Sequence, residues 1–396
     1  MTMRSLHWMT ALSAIAIGLS ATLAHCSSDD SCTRLCQCKP SACEPTVPTD
    51  PALCREALST FSCASDAASA DVVVDALDAD AGSTATVLVS DAGWVRGLAV
   101  MGSSLFWTTD TDWGDAGETG GGVFTCGVDG CGDAPTALAT SQGRAVGIAV
   151  DSTNVYWSSL AGCGSSCGTI RKCALGGCAG APTELASSQG VIESVAVDST
   201  SIYWTDGNAD AIRKCAIGGC GMSPSDLASS ELGPYAIAVD STNVYWTAQP
   251  NATVRACATG GSTPTTLATS SDVSLTAIAV DGSNVYWVTN AGTLLQCAAS
   301  GCGGSPTTLA TTGPGYVGAV VVRDGFVFWT RDDTNAVPQT YEIFRCPVTG
   351  CGASPTLLGS FQGAIRAMDA DNGRVYFAAS DNGALPPFVI RKLVVQ

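Results

Sequence analysis

Histidine is almost missing from this sequence. Of its 396 residues only His7 and His25 are histidines, and both lie within the first 25 positions. Residues 26–396 therefore cannot activate a serine or cysteine nucleophile through an imidazole, use histidine as a general base, or hold a catalytic metal through it. Acid–base chemistry in this chain would have to come from carboxylates, and the sequence assigns no catalytic residue and no metal ligand.

Positive charge is also scarce. The chain has 18 lysines and arginines against 35 acidic residues, which gives a formal net charge of −17. A nucleic-acid-binding surface needs clustered lysine and arginine to neutralise phosphates, so we expect no nucleic-acid partner. Beyond residue 26 no stretch is apolar enough to span a membrane. Membrane contact is expected only through a lipid anchor.

The first 25 residues have the features of an export signal peptide. Arg4 precedes an uncharged, mostly apolar run from Trp8 to Ala24. The segment Leu23 to Cys26 resembles a bacterial lipobox, whose cysteine is lipid-modified and becomes the first mature residue. His25 stands where that motif has a small residue, so cleavage near Ala24 and release is the alternative. We expect an exported protein: an outer-membrane or cell-envelope lipoprotein anchored at Cys26, or a secreted one.

The 20 cysteines suit an exported chain, since an oxidising compartment favours disulfides over metal-binding thiols. Residues 26–63 form a Cys-rich segment, and residues 64–82 an acidic linker of Ala, Asp and Ser. The six cysteines after Cys26 could form three bridges in any of fifteen pairings. They are Cys32, Cys36, Cys38, Cys43, Cys54 and Cys63.

Residues 83–396 contain a repeated unit. Two of its copies run from Val195 to Thr205 and from Ile237 to Thr247, and both end in Tyr-Trp-Thr. The spacings of the aromatic anchors are 50, 47, 42, 41, 42 and 48 residues, the length of a four-stranded propeller blade. An aromatic side chain at the same place in each blade is expected to pack against the neighbouring sheet. These anchors are Trp107, Trp157, Trp204, Trp246, Trp287, Trp329 and Phe377.

One copy shows the four strands, which we call A to D in chain order: Ser194 to Asp198, Ile202 to Thr205, Ala211 to Cys215, and Asp226 to Ala228. The last copy lacks strand D. The segment Thr84 to Val89 resembles the D strands and is expected to complete that blade, because a propeller closes its ring. The sequence thus predicts an all-β propeller of seven four-stranded blades, with six as the alternative.

Tyr203-Trp204-Thr205-Asp206 resembles the YWTD propeller repeat of low-density lipoprotein receptor relatives, in a bacterial exported or lipoprotein version. Most copies here lack the final aspartate, and that family's propellers have six blades. The resemblance implies a binding or interaction domain in an exported or membrane-anchored protein. It implies no particular ligand, since the repeated residues are those that build the blades.

Five C-x4-C pairs straddle the turn after strand C and are expected to form local disulfides. Blade two adds Cys163 and Cys167, so that two disulfides or, alternatively, one four-thiolate zinc site could form there. Cys257 has Ser262 where its partner would stand and is expected to remain a thiol. The five pairs are Cys126/Cys131, Cys173/Cys178, Cys215/Cys220, Cys297/Cys302 and Cys346/Cys351.

Aspartates recur after strand A, at Asp151, Asp198, Asp240 and Asp281, where we expect them to cap the A/B hairpin. Unrepeated oxygen donors could instead suit Ca²⁺. No complete calcium-loop motif occurs, so no cofactor is expected, with Ca²⁺ as the alternative. The unrepeated sets are Asp206, Asn208 and Asp210; Asp110, Asp112 and Asp115; and Asp332 and Asp333.

The B/C connections vary between copies, whereas the A/B and C/D turns are nearly uniform. In a four-stranded meander the B/C and D/A connections lie on one face, and variation on one face of a uniform scaffold indicates a binding surface. Drift in unconstrained loops would look the same. The candidate residues on this face are Trp113, Asp206, Asn208, Gln249, Asn251, Arg331, Asp332 and Tyr341.

We therefore expect a monomeric, non-enzymatic exported propeller that binds an unidentified protein or glycan through this face. The alternative is a carboxylate- or metal-dependent enzyme of the lyase, lactonase or glycosidase type, with Glu193 and Glu231 as the best-placed acids. In a third hypothesis the Cys-rich segment is the interaction module and the propeller a spacer.

Overall fold

The computed structural model describes residues 85–110, 120–132, 134–160, 168–249, 251–261, 263–270, 274–333, 340–380 and 388–395. All of them fall within the compact unit Val72–Gln396. In these ranges the regular elements are strands, and no helix is long and apolar enough to cross a bilayer. The predicted Cys-rich segment and linker, with Cys26 and the leader, lie outside the described residues.

Within the described ranges, 28 strands form seven separate four-stranded antiparallel sheets, which are the blades of a propeller. Blades I to IV contain β2 (Trp94–Met101), β3 (Ser104–Asp110), β4 (Gly122–Gly127), β5 (Thr136–Ala139); β6 (Arg144–Val150), β7 (Asn154–Leu160), β8 (Gly168–Ala174), β9 (Thr183–Gln189); β10 (Val195–Val197), β11 (Ser201–Asp206), β12 (Ala211–Ala216), β13 (Ser225–Ser229); and β14 (Pro234–Val239), β15 (Asn243–Ala248), β16 (Thr253–Ala258), β17 (Thr265–Thr269).

Blades V and VI contain β18 (Ala279–Val280), β19 (Asn284–Val288), β20 (Thr293–Ala298), β21 (Thr307–Thr311); and β22 (Val320–Arg323), β23 (Phe326–Asp333), β24 (Thr340–Pro347), β25 (Thr356–Phe361). Blade VII contains β26 (Ile365–Asp371), β27 (Arg374–Ser380), β28 (Phe388–Val394) and, from the other end of the chain, β1 (Thr86–Val89). The first strand of each blade contacts the first strands of both neighbouring blades, including β26 with β2, so the ring is closed around these A strands.

The predicted closing strand is confirmed. β1 pairs antiparallel with β28, with Thr86 opposite Lys392 and Val89 opposite Ile390. Leu88 and Val89 are buried in one apolar cluster with Ile390. The N-terminal strand therefore covers the edge that β28 would otherwise expose, which is how a propeller avoids an open sheet edge.

The repeated tryptophans form the packing between blades, as predicted. All six in the repeat are at most 1% exposed. Trp246 of blade IV packs on Tyr203 and Ile212 of blade III, and Trp287 of blade V packs on Tyr245 of blade IV. Truncating such a ring to alanine typically costs about 3–5 kcal/mol. The tryptophan of the repeat is thus a packing residue and contributes no ligand surface.

The predicted hairpin caps are also present. In the A/B turn of blade III, Oδ1 of Asp198 accepts the amides of Thr200 at 2.7 Å and Ser201 at 2.8 Å. Asp151, Asp240 and Asp281 accept the corresponding amides in blades II, IV and V. Each carboxylate thus accepts backbone amides of its own turn, which is how aspartate stabilises a tight turn.

Five disulfides join strand C to the turn after it, with Cα atoms 5.4 to 5.7 Å apart. Cys163 and Cys167 lie outside the described residues. Cys257 is a buried thiol, and its Sγ donates to the carbonyl of Leu227 at 3.9 Å. The five bonds join Cys126 to Cys131, Cys173 to Cys178, Cys215 to Cys220, Cys297 to Cys302 and Cys346 to Cys351.

Candidate functional site

A cavity of about 320 Å³ opens on the axis of the ring, at the end where the A strands begin. The B/C and D/A connections share this face, as expected: in blade III the amide of Gly207 donates to Val191 at 2.9 Å. Each blade contributes one equivalent residue of strand A, or of the segment just before it, to the lining. The seven residues are Arg96, Val146, Glu193, Tyr235, Thr276, Gly318 and Arg366.

The residues on either side of this lining position are uniform. In every blade the preceding residue is apolar or proline and buried, and the following residue is Gly, Ala or Ser. The lining residues are two arginines and one each of valine, glutamate, tyrosine, threonine and glycine. Packing therefore constrains the flanking positions, while the position between them is free to differ from blade to blade.

In blades I, II, IV and VII a β-bulge turns this residue towards the channel. In blade I the pairing passes from Val95 opposite Thr109 to Gly97 opposite Thr108 and so omits Arg96. In blade VII it passes from Ile365 opposite Ala379 to Ala367 opposite Ala378 and omits Arg366. The pairings in blades II and IV shift at the same place. Bulges re-aim a side chain out of the regular alternation, which is how these residues reach the lumen.

In blades III and IV the hydroxyl that follows the repeated tryptophan binds the backbone next to the lining residue. The amide of Ala236 donates to Thr247 Oγ1 at 3.1 Å, and that of Ser194 donates to Thr205 Oγ1 at 3.3 Å. The Thr205 hydroxyl also donates to the carbonyl of Tyr235 in the next blade, at 3.2 Å. The threonine of the Tyr-Trp-Thr unit thus fixes the backbone beside Glu193 and Tyr235.

The arginines at the mouth lie on one side of it. Arg96 and Arg144 both donate to Oδ2 of Asp110, at 2.6 Å and 3.0 Å. The Asp110 side chain is only 4% exposed, and its single negative charge neutralises one of the two arginine charges. Arg366 is exposed, and no carboxylate of the described ranges is within ion-pair distance of it. Blades VII, I and II therefore form a cationic sector.

Tyrosines and acids line the rest of the mouth. Burial raises the pKa of Tyr235 to about 12; the neighbouring Tyr316 and Glu193 act in the same direction, and Arg96 opposes them. Burial also raises the pKa of Tyr341, with Asp332 adding to the shift and Arg366 opposing it. Both phenols are therefore protonated at neutral pH and can donate as well as accept hydrogen bonds.

Of the candidates on the variable-loop face, Asp332 and Tyr341 line the cavity. Arg331 is bound by Glu342, and Gln249 is held by Ser274 and Leu275 of the next blade. Asn208 and Asn251 are exposed away from the lining. Asp206 is buried, contrary to the expectation of an exposed contact, because its carboxylate accepts the amides of Gly190, Asn208 and Ala209. Trp113 lies outside the described residues.

The two glutamates singled out from the sequence differ in position. Glu193 lines the cavity. Glu231 is 4% exposed, and its carboxylate accepts the Trp246 indole at 3.0 Å and the Arg255 guanidinium at 2.8 Å. Gln142 and Gln189 bind Arg171 and Arg213 in the same way. Glu231 is thus an unrepeated acid at a repeated structural position, where blades II and III have glutamine.

In the described ranges, no three Asp, Glu, Cys or His side chains are arranged to hold a metal ion. Asp210, from one of the oxygen sets, accepts the amide of Gly233 at 3.1 Å. Asp112 and Asp115 lie outside these ranges.

The lining positions Arg96, Tyr235, Thr276 and Arg366 were not identified from the sequence. The signal was present: aligned copies differ in charge and size at the position two residues before the first apolar residue of strand A, between neighbours that stay apolar or small. These residues differ from copy to copy inside or just before a strand that is otherwise uniform, whereas the predicted binding residues lay mainly in the variable B/C connections.

No protein-family model and no curated protein matches the sequence. Three solved structures illustrate what its fold is similar to. A catalytically inactive histidine-to-alanine variant of virginiamycin B lyase from Staphylococcus aureus, with quinupristin, is 12% identical; the match covers 78% of this chain and 98% of that one, with a TM-score of 0.59. U3-55K is also 12% identical, with the same coverages and a TM-score of 0.60.

A chain of a nidogen/laminin complex is 19% identical over 64% of this chain and 95% of that one, with a TM-score of 0.48. Identities of this size show the propeller fold alone. Similar folds thus occur in an enzyme and in a protein not named as one.

Proposed function

We propose that this chain is a non-enzymatic binding propeller that holds a protein or glycan partner on its variable-loop face, with the channel mouth at the centre. The observation that carries the proposal is the ring of seven lining residues. Their neighbours are uniform, bulges turn four of them inward, and hydroxyls after the repeated tryptophan bind the backbone beside those of blades II, III, IV and VI. Their side chains differ in charge, size and polarity. Such variation on a fixed scaffold is suited to recognition.

An enzymatic function has less support. The lyase variant that lacks one histidine is described as catalytically inactive, whereas this chain has no histidine beyond His25. Glu231, one of the two acids on which a carboxylate mechanism would depend, is bound by Trp246 and Arg255. Such a mechanism would have to use Glu193 and Asp332 at the cavity.

The test is selection of ligands from a glycan array and from a displayed random-peptide library, with the full chain and with Tyr235→Ala. Arg374→Ala is the matched control, because Arg374 begins β27 in the A/B turn at the opposite end of the ring. The proposal expects the selected ligand to be retained by the control and lost by Tyr235→Ala. Retention by Tyr235→Ala, and by a variant that also carries Asn208→Ala and Asn251→Ala, would contradict it.

Turnover of a selected ligand, detected by mass spectrometry and abolished by Glu193→Gln, would establish the enzymatic alternative instead. Deletion of residues 27–63 separates a further possibility: loss of binding on that deletion would assign recognition to the Cys-rich segment, with the propeller as a spacer.

We also propose that the repeat is of the YWTD type and that the chain is exported. The Tyr-Trp-Thr units of blades III and IV and the apolar leader before Cys26 support these assignments. The intact mass of the protein from a bacterium with lipoprotein processing tests the anchor. A diacylglyceryl adduct on Cys26 would assign it to the envelope, and an unmodified chain cut near Ala24 would assign it to the secreted fraction.

A further inference from the structure

We propose that the channel mouth binds the C-terminal lysine of a peptide, with its carboxylate at Arg366 and its side-chain ammonium at Glu193. The inference rests on the proposed binding function and specifies the partner's contact at the same site. It follows from two opposite charges of the lining that lie across the axis from each other and are not paired within the described part of the chain.

Arg366 and Glu193 differ from the other charged residues of the lining. Arg366 is exposed and Glu193 is half-buried, and neither side chain has a hydrogen bond or an ion pair with any described residue. Arg96, by contrast, donates to Asp110 from Nε at 3.0 Å and from Nη2 at 2.6 Å. Asp332, in the blade next to Arg366, is only 9% exposed. The accessible charges of the mouth are therefore one guanidinium and one carboxylate.

These two charges come from opposite sides of the ring. The A strands contact one another in blade order, and β26 closes the ring against β2. In a ring of seven, blades III and IV lie opposite blade VII. Arg366 belongs to blade VII and Glu193 to blade III. A ligand that satisfies both must carry an anion and a cation that are well separated.

The C-terminal lysine of a peptide meets this condition. Its carboxylate and its ammonium are separated by the whole length of the side chain, whereas an N-terminal aspartate holds its two charges one methylene group apart. A guanidinium binds a carboxylate through two parallel hydrogen bonds, and an ammonium offers three donors to a carboxylate. In free lysine the α-ammonium would lie beside Arg366, but in a peptide that nitrogen is an uncharged amide.

Two tyrosines next to Glu193 suit the side chain of a lysine. Glu193 and Tyr316 both neighbour Tyr235 and contribute to its raised pKa. Tyr316 is 47% exposed, and its carbonyl accepts the amide of Asp332 at 2.9 Å, which holds its backbone in place. Aromatic faces attract cations, and the methylene groups of lysine pack on apolar surface. These rings therefore favour an alkylammonium over a small inorganic cation.

The size of the cavity and the net charge favour one terminal residue of a basic partner. A volume of about 320 Å³ is at the lower end of the range for small-ligand sites, about 300–1,000 Å³, and so suits a single residue. The net charge of −17 attracts a basic segment and repels an acidic one.

The experiment is calorimetric titration of the full chain with acetyl-Ala-Ala-Lys, whose C-terminal carboxylate is free. One analogue ends in a carboxamide and keeps only the ammonium. Another is acetylated on the lysine nitrogen and keeps only the carboxylate. The peptide with both charges is expected to bind about 10- to 100-fold more tightly than either analogue, because each analogue lacks one charge-assisted contact. Added salt should reduce this difference.

Two variants assign each charge to its side of the mouth. Arg366→Gln is expected to lose the preference over the carboxamide and to keep the preference over the acetylated lysine, and Glu193→Gln is expected to do the reverse. The preference that each variant keeps shows that it is folded. Arg374→Ala, the remote control, should keep both preferences.

Equal binding of the three peptides, a complete absence of binding, or the same change of both preferences in the two variants overturns the inference. If the array or the peptide library still yields a ligand that Tyr235→Ala abolishes, the proposed function stands and only the terminal lysine is wrong. If neither screen yields such a ligand, the proposed function fails as well.

Discussion

The phenol of Tyr203 donates a hydrogen bond of 2.9 Å to Oδ2 of Asp198, five residues earlier in the chain. Oδ1 of the same carboxylate holds the A/B turn. The pair recurs in blades II, IV and V at 2.7 to 2.8 Å. Where the aspartate is replaced, by Met101 or Arg323, the tyrosine is replaced by Phe106 or Phe328. The chain's own copies thus indicate that the two residues act together.

Removing either partner of this pair is expected to destabilise the fold. Tyr203→Phe should cost about 1 kcal/mol, and Asp198→Ala somewhat more because it also releases the turn amides. The double variant should cost less than the sum, since both changes remove one shared bond. Urea denaturation measures the three values, and strict additivity would show that the hydrogen bond contributes nothing.

Acid should weaken the same turns. Burial by itself would raise the pKa of Asp198, but hydrogen bonds from Thr200, Tyr203 and Ser201 outweigh it and lower the pKa below the ordinary 3.8. The pKa of Asp240 is lowered in the same way. A lowered native pKa means that this stabilisation is complete above the unfolded pKa and is lost as the pH falls through the native value.

We therefore expect the urea midpoint of the wild type to fall below about pH 4, and to fall less steeply in Asp240→Asn. Midpoints measured between about pH 2.5 and 6 test this. If the urea midpoint of Asp240→Asn follows the wild-type curve at every pH, Asp240 does not contribute to the loss of stability in acid. Val394→Ala, at a side chain that is 64% exposed at the end of β28, is a control that changes no titratable group.

Thr205→Val should destabilise the fold by about 1–2 kcal/mol, because it leaves the amide of Ser194 and the carbonyl of Tyr235 without their shared hydroxyl. It should also weaken any ligand held by Tyr235. Blade V has Val288 at this place, so Val288→Thr serves as the reverse change and should be nearly neutral. An equal loss of stability in both variants would point to side-chain shape instead of the hydroxyl.

Glu231→Gln should be tolerated, whereas Glu231→Ala should cost about 2–3 kcal/mol. Glutamine is the residue at the equivalent position in blades II and III, where it accepts from Arg171 and Arg213. Alanine would leave the buried indole of Trp246 without its acceptor and remove the carboxylate bound to Arg255. Thermal unfolding ranks the variants. A glutamine variant as unstable as the alanine variant would show that the negative charge itself is required.

Leu88→Ala tests the closure of the ring. Leu88 lies on β1 and is 3% exposed. Its truncation to alanine should lower the free energy of unfolding by about 2–4 kcal/mol. Leu357, on the outer strand of blade VI, is 47% exposed, and its truncation should cost less than about 0.5 kcal/mol. Equal effects of the two changes would mean that β1 is not held in the closed ring in solution.

The blades could be predicted from the sequence because their determinants are local and repeated. The strands placed in blade III from residue pattern alone lie within one residue of β10, β11, β12 and β13. The Trp204 packing, the Asp198 cap and the C-x4-C bonds likewise join residues that are near in sequence or recur once per blade. Even the closure by β1 followed from counting strands.

The channel mouth was decided by tertiary structure. Arg96 and Arg366 are 270 positions apart in numbering and become neighbours only when blade VII meets blade I. Their exit from the regular alternation depends on bulges, and the corresponding bulge of blade IV receives a hydrogen bond from Thr205 of the preceding blade. The sequence alone determined the repeat and hence the blades; closing the ring brought one residue from each blade together, because only a closed ring has a centre.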